Sequence, residues 1–178
     1  SFPQSADIYI CMQGYISNSD LHIGLIDKKY SKPVRALIRR FLRPYPTGIE
    51  YIRRLDEEYK IIEKKGFVST FHRVSDLLEL IKEQNIPHVL RGSAASSLVC
   101  YQLGISDIDP IQEKIPLTRF MNWCRDTQPD IDLDVPHFIR DNLIEQFHEI
   151  HPNKVARISN KEMYKPKSAM REAIRKFG

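Results

Sequence analysis

Asp130-Ile-Asp-Leu-Asp-Val135 places three carboxylates at alternate positions and three apolar residues between them. On a strand, successive side chains point to opposite faces. Asp130, Asp132 and Asp134 therefore share one face, and Ile131, Leu133 and Val135 share the other. Carboxylates two residues apart have Cα atoms roughly 7 Å apart, close enough to converge on a common cation. Oxygen ligands on a rigid strand suit a hard divalent metal. The same row also reads as a solvated edge strand that uses charge to repel other strands. The pattern alone leaves both readings open.

A second motif lies about forty residues upstream, at Arg91-Gly-Ser-Ala-Ala-Ser-Ser97, between a short strand candidate and a small-residue helix. Glycine lets the backbone approach a ligand closely. Backbone N–H groups at a helix start, with Ser93 beside them, make a phosphate cradle, and Arg91 adds a charge-assisted contact. Small residues before a helix also serve simple capping or close packing. The segment is not a Walker loop, because no Gly-Lys-Ser/Thr follows.

The elements that must hold these motifs alternate between helices and short strands. Residues 6–16 read as a β-rich entry with a bend at Gly14. A basic helix is predicted over 33–43, with Val34, Leu37, Ile38 and Phe41 on one side. A longer helix over 49–65 carries Ile49, Ile52, Leu55, Tyr59 and Ile62 inward and stops at Gly66. Ser75 is the expected cap of a helix to about Gln84, with Leu77, Leu78, Leu80 and Ile81 facing the core. Pro87-His-Val-Leu90 reads as a strand, 94–103 as a helix closed by Gly104, and 129–135 as the acidic strand. Helices from about Phe138 to Ile150 and Lys167 to Phe177 complete the order.

Composition narrows the function classes. The chain has 178 residues, roughly one domain, with 42% hydrophobic and 28% charged residues. No apolar run approaches the ~20 residues of a membrane span, so no membrane partner is expected. Cys11, Cys100 and Cys124 are odd in number and far apart, against a disulfide framework or a zinc knuckle. A reducing, cytoplasmic setting follows as the expectation, and a start without Met suggests a chain processed or cut from something longer. The net charge of +4 is uneven. The segment from Lys154 onward carries eight bases and two acids, and Lys28 to Arg43 carries seven bases and no acid. Such runs mark phosphate-rich partners, or simply solvated helix faces.

Other candidate groups invite blander readings. His148 and His151 are spaced i, i+3 but lack a third ligand, so surface or capping roles are expected. Asp107 and Asp109 suit a turn, and Trp123 a core or interface position.

Taken in order, Leu90-Arg-Gly-Ser-Ala-Ala-Ser-Ser-Leu-Val-Cys-Tyr-Gln-Leu-Gly-Ile-Ser-Asp-Ile-Asp-Pro110, Arg119-Phe-Met-Asn122, Pro129-Asp-Ile-Asp-Leu-Asp134 and Lys167-Ser-Ala-Met-Arg-Glu-Ala-Ile-Arg175 resemble the bacterial replicative DNA polymerases of family C, the polymerase III alpha-subunit type. Glu63-Lys-Lys-Gly-Phe67 fits upstream, and the resemblance spans roughly residues 45–178. It implies an α+β fold: a nucleotidyltransferase-type palm, a small mixed sheet with helices packed on it. The palm would occupy residues 45–178, without fingers or thumb, and residues 1–44 would form an N-terminal segment of unassigned role.

The resemblance also implies roles. Asp130 and Asp132 would be catalytic and hold Mg²⁺ (or Mn²⁺), while Arg91, Gly92, Ser93, Lys167 and Arg171 would bind nucleotide phosphate. Arg175 and Lys176 would contact nucleic acid, and Asp134 would be a structural acid paired with a base. The implied partners are DNA primer-template, deoxynucleoside triphosphates, and the remainder of a polymerase chain or holoenzyme subunits. The implied reaction is two-metal nucleotidyl transfer to a primer 3′-hydroxyl. The alternative is a non-catalytic nucleotide- or nucleic-acid-binding module with a degenerate palm. The family's third aspartate is expected beyond Gly178, and Ala94-Ala95-Ser96 replaces part of the family's glycine pattern.

Overall fold

The computed structural model describes residues 29–158 and 163–177. The β-rich entry over 6–16, Cys11, His22 and Lys28 lie outside the described residues. Two compact units divide between Leu143 and Ile144.

The first unit is built on helices. Helix α1 (Lys32–Ile38) starts with Pro33 in its first turn, where a missing N–H costs nothing, and buries Val34, Leu37 and Ile38. Helix α2 (Ile49–Lys64) buries Leu55, Glu58, Tyr59, Ile61 and Ile62. Ile49, expected on the inner face, is 42% exposed because the first turn of α2 projects beyond the core. Helix α3 (Val68–Glu83) begins seven residues before the expected Ser75 cap. Phe67 and Phe71 are both buried, and Phe71 meets Phe120 edge-on at 6.3 Å. Extending the helix back over Val68–Phe71 seats both rings in the core, and Ser75 becomes a buried mid-helix residue.

Strand β1 (Val89–Arg91) follows, then a 3-10 turn (Gly92–Ser96), helix α4 (Leu98–Gln102) and a second 3-10 turn (Leu117–Arg119). Strand β2 (Asp132–Asp134) leads to helix α5 (His137–Ile150), within which the two units divide. Helix α1 packs on α3 and α2 on α4. The core gathers Leu55, Tyr59, Ile62, Phe71, Leu98, Val99 and Phe120, and Leu90, Ile131 and Leu133 press on it from the strands. A smaller cluster of Ile81, Ile86 and Leu143 lies beside it.

The fold is α+β, and the helices predominate. The expected mixed sheet is, among the described residues, one two-stranded antiparallel ladder pairing Val89 with Asp134, Leu90 with Leu133 and Arg91 with Asp132. Trp123 is 45% exposed and lies 5.7 Å from the Lys64 ammonium, at the surface and not in the core. In the second unit, α6 (Pro166–Phe177) is amphipathic and buries none of its residues.

Candidate functional site

Exposure alternates from Asp130 to Val135: the three aspartates are exposed and the three apolar residues half-buried. Only Asp132–Asp134 form ladder bonds, because β1 ends at Arg91 and offers no partner to Asp130. Gly92 turns the chain out of β1 with φ +81°, a conformation that L side chains rarely adopt. A β-carbon there would lie 3.1 Å from Asp132 Oδ2. The carboxylate of Asp132 thus sits against the α-carbon of Gly92, which brings the acidic strand and the Gly-Ser turn into one surface. Arg91 opposes Asp132 in register and reaches diagonally to Asp134, Nε to Oδ2 3.3 Å.

The three acids are therefore not equivalent. Asp134 has a base, while the carboxylates of Asp130 and Asp132 have no hydrogen bond or ion pair among the described residues. Among those residues, no group of three His, Cys, Asp or Glu side chains forms a ready-made metal cage. Two open carboxylates suit Mg²⁺, which keeps waters and takes further ligands from substrate phosphates. The donor set fits that ion.

The small-residue segment folds differently from the single helix expected over 94–103. It divides at Ser97 into the 3-10 turn and α4, because the first donors of α4 are taken from the core side. Glu58, 0% exposed, accepts from Ser97 Oγ at 2.6 Å, Leu98 N at 2.7 Å and Val99 N at 3.0 Å. Arg54 Nε adds a fourth bond at 3.0 Å. The Arg54 Nη2 atom donates onward to Ser96 O at 2.6 Å and Ile115 O at 3.0 Å. Ser97 Oγ also accepts from Cys100 N at 3.1 Å, and Ser96 Oγ donates to Ser93 O at 2.7 Å. Burial pushes the Glu58 carboxyl up from its ordinary value, while Ser97, the two amides and Arg54 pull the other way. The phosphate cradle read at the start of one long helix thus narrows to the 3-10 turn, since Glu58 occupies the amides of α4.

Sequence reasoning missed Glu58, which lies in the acidic run Asp56-Glu57-Glu58. Its signal is spacing: Leu55, Glu58, Tyr59 and Ile62 recur at i, i+3, i+4 and i+7, which puts the acid on the apolar stripe.

The basic run of α1 and its flanks is largely engaged within the unit. Lys29 pairs with Asp56, Arg40 with Asp76 and Glu79, and Arg43 with Asp107. Asp109 caps its own turn by accepting from Ile111 N at 2.9 Å and Gln112 N at 3.2 Å. Lys167, Arg171, Arg175 and Lys176 lie in the second unit on α6. Lys167, Arg171 and Arg175 recur every fourth residue along one stripe, and Arg175 pairs with Glu172 at 2.6 Å. His151 packs its ring on Phe147 at 4.9 Å.

Comparison with known proteins gives this geometry a context. Residues 26–178 match the family model described as the bacterial DNA polymerase III alpha NTPase domain. An error-prone DNA polymerase of Corynebacterium glutamicum is 39% identical over 126 residues, covering 70% of this chain and 12% of that protein. One from Cutibacterium acnes is 36% identical over 126 residues, covering 70% and 11%. One from Nocardia farcinica is 32% identical over 146 residues, covering 82% and 13%. The chain thus spans about an eighth of the length of the curated relatives it matches.

Proposed function

Because the chain belongs to the bacterial DNA polymerase III alpha family, we propose that it carries part of the nucleotidyl-transfer site of a longer DNA polymerase, in a palm formed by residues 45–178. One observation supports this reading above the others. The carboxylate of Asp132 rests against Gly92, so the acidic strand and the Gly-Ser turn share one surface.

In this reading Asp130 and Asp132 hold Mg²⁺ (or Mn²⁺), and Gly92 and Ser93 bind the triphosphate of a deoxynucleoside triphosphate. When bound, two such ions stabilise both the attacking and the leaving oxygen of an in-line displacement. The chain's own residues do the rest. The ladder holds Asp132 in direction, while half-buried Ile131 and Leu133 on the strand's other face pack against the core. The Arg91 guanidinium, one edge on Asp134, keeps further N–H groups for a phosphate. Asp134 spaces and orients that arginine. On α6, Lys167 and Arg171 serve nucleotide phosphate and Arg175 and Lys176 nucleic acid. Primer-template DNA and the rest of the polymerase chain are the partners. No helix among the described residues is long and apolar enough to cross a membrane, and a cytoplasmic setting belongs to the proposal.

The test is thermal unfolding with deoxyadenosine triphosphate and Mg²⁺, together and singly. Together they should stabilise the fold by about 2.7 kcal/mol at a hundredfold excess over Kd, and Asp130→Asn or Asp132→Asn should remove that gain. Nucleotide binding that ignores both metal and these substitutions would favour a non-catalytic binding module. No stabilisation by nucleotide and metal together would refute the reading.

A further inference from the structure

We propose that Glu58 is a positioning residue for the phosphate-binding turn, acting from the core side through Arg54 and Ser97; this rests on the nucleotide-binding reading of that turn. Four consecutive residues, Ser96 to Val99, are held by two side chains one helical turn apart on α2. Arg54 grips the carbonyl of Ser96, and Glu58 takes the hydroxyl of Ser97 and the amides of Leu98 and Val99. The restraint passes outward, because Ser96 Oγ bonds Ser93 O and the turn then reaches Gly92, whose α-carbon faces Asp132.

Capping alone does not account for this arrangement. Ser97 already accepts from Cys100 N, which is the bond a serine cap supplies. Burying a carboxylate and a guanidinium carries a desolvation penalty that a well-packed apolar pair avoids. What the charged pair adds is direction: two oxygens and a planar fork set the turn in rotation and height against α2. A glutamine at 58 has one oxygen and an NH₂ group. It therefore meets at least one of the converging donors with another donor.

The experiment measures inorganic tripolyphosphate binding by calorimetry in EDTA, and Mn²⁺ binding by electron paramagnetic resonance without phosphate. Both use the full 178-residue chain below its melting temperature. Amide exchange over residues 93–99 is followed in parallel. Glu58→Gln should weaken tripolyphosphate about tenfold, the worth of one charge-assisted hydrogen bond, leave Mn²⁺ affinity within about twofold, and speed exchange in the turn. Glu58→Asp, which keeps the charge, should recover part of the tripolyphosphate affinity. Ser97→Ala, which leaves the ion pair in place, should weaken tripolyphosphate about threefold and serves where Glu58→Gln does not fold. Tripolyphosphate affinity unchanged in folded Glu58→Gln or in Ser97→Ala overturns the inference and leaves the site reading standing. A loss of Mn²⁺ affinity equal to the loss of tripolyphosphate affinity also overturns it, since a general loosening of the fold does that. If the unaltered chain binds tripolyphosphate neither in EDTA nor with Mg²⁺ present, the nucleotide reading fails and takes this inference with it.

Discussion

The Gly92–Ser96 turn separates two groups of acids that the protein treats in opposite ways. On the outer side, Asp130, Asp132 and Asp134 stand exposed, and only Asp134 has a base. On the core side, Glu58 is fully buried and accepts four hydrogen bonds. The exposed set is open to ligands and contributes little to stability. The buried set is closed to ligands and holds the turn in place. Charge is therefore left available to ligands where it is unsatisfied and holds structure where it is saturated.

The contrast breaks most visibly at Glu58. Truncation to Ala leaves three donors and the Arg54 charge unmatched in the interior. It should cost about 3–5 kcal/mol in urea denaturation, the range for breaking a buried ion pair. Asp132→Asn should change stability by less than ~0.5 kcal/mol in the same assay, as expected for an exposed residue without partners. Comparable losses from the two substitutions would erase the distinction.

Gly92→Ala comes next. The φ of +81° penalises any side chain, and the new methyl meets Asp132 Oδ2 at 3.1 Å. A cost of about 1–2 kcal/mol is expected, with loss of the metal-dependent nucleotide stabilisation because Asp132 must move.

The response to pH sharpens the comparison within α2. Burial works to raise Asp56, but Lys29, Lys60 and Tyr30 outweigh it and hold the carboxyl below its ordinary 3.8. Its stabilisation is present above pH 3.8 and fades as pH falls through the lowered folded value. Glu58 has the opposite sign: burial dominates and raises it above 4.5. Its contribution is full below pH 4.5 and declines as pH rises through the raised folded value. Unfolding free energies of wild type relative to Asp56→Asn should therefore converge in strong acid. Those of wild type relative to Glu58→Gln should diverge in favour of wild type as pH falls from neutrality to 4.5.

A small effect belongs to the exposed pair. Arg91 and Asp134 are 69% and 57% exposed at 3.3 Å. Arg91→Met should cost less than about 1 kcal/mol, and the difference should shrink in 1 M salt.

How much of this was legible in the sequence depends on whether a local pattern or a distant partner decided the outcome. The alternation from Asp130 to Val135 needs only the strand period, and the exposure of those six residues follows it. The ends of β2 depend on where β1 stops, which Gly92 decides forty residues away, so the strand is shorter than the pattern. The start of α3 was misplaced because Ser75 has the chemistry of a cap, yet the burial of Phe67 and Phe71 outweighs local propensity. The division of 94–103 at Ser97 follows from Glu58, whose partners lie 39 to 41 residues downstream. The contact of Asp132 with Gly92 follows from register, which two three-residue strands some forty residues apart in the chain do not display.

The most direct test of the account is calorimetric titration of the Mn²⁺ complex of deoxyadenosine triphosphate into the chain and three single variants. Asp130→Asn and Asp132→Asn should each abolish the metal-dependent part of the affinity, whereas Asp134→Asn should retain most of it. Equal losses at all three positions, or no loss at 130 and 132, would contradict the division of roles among the three aspartates.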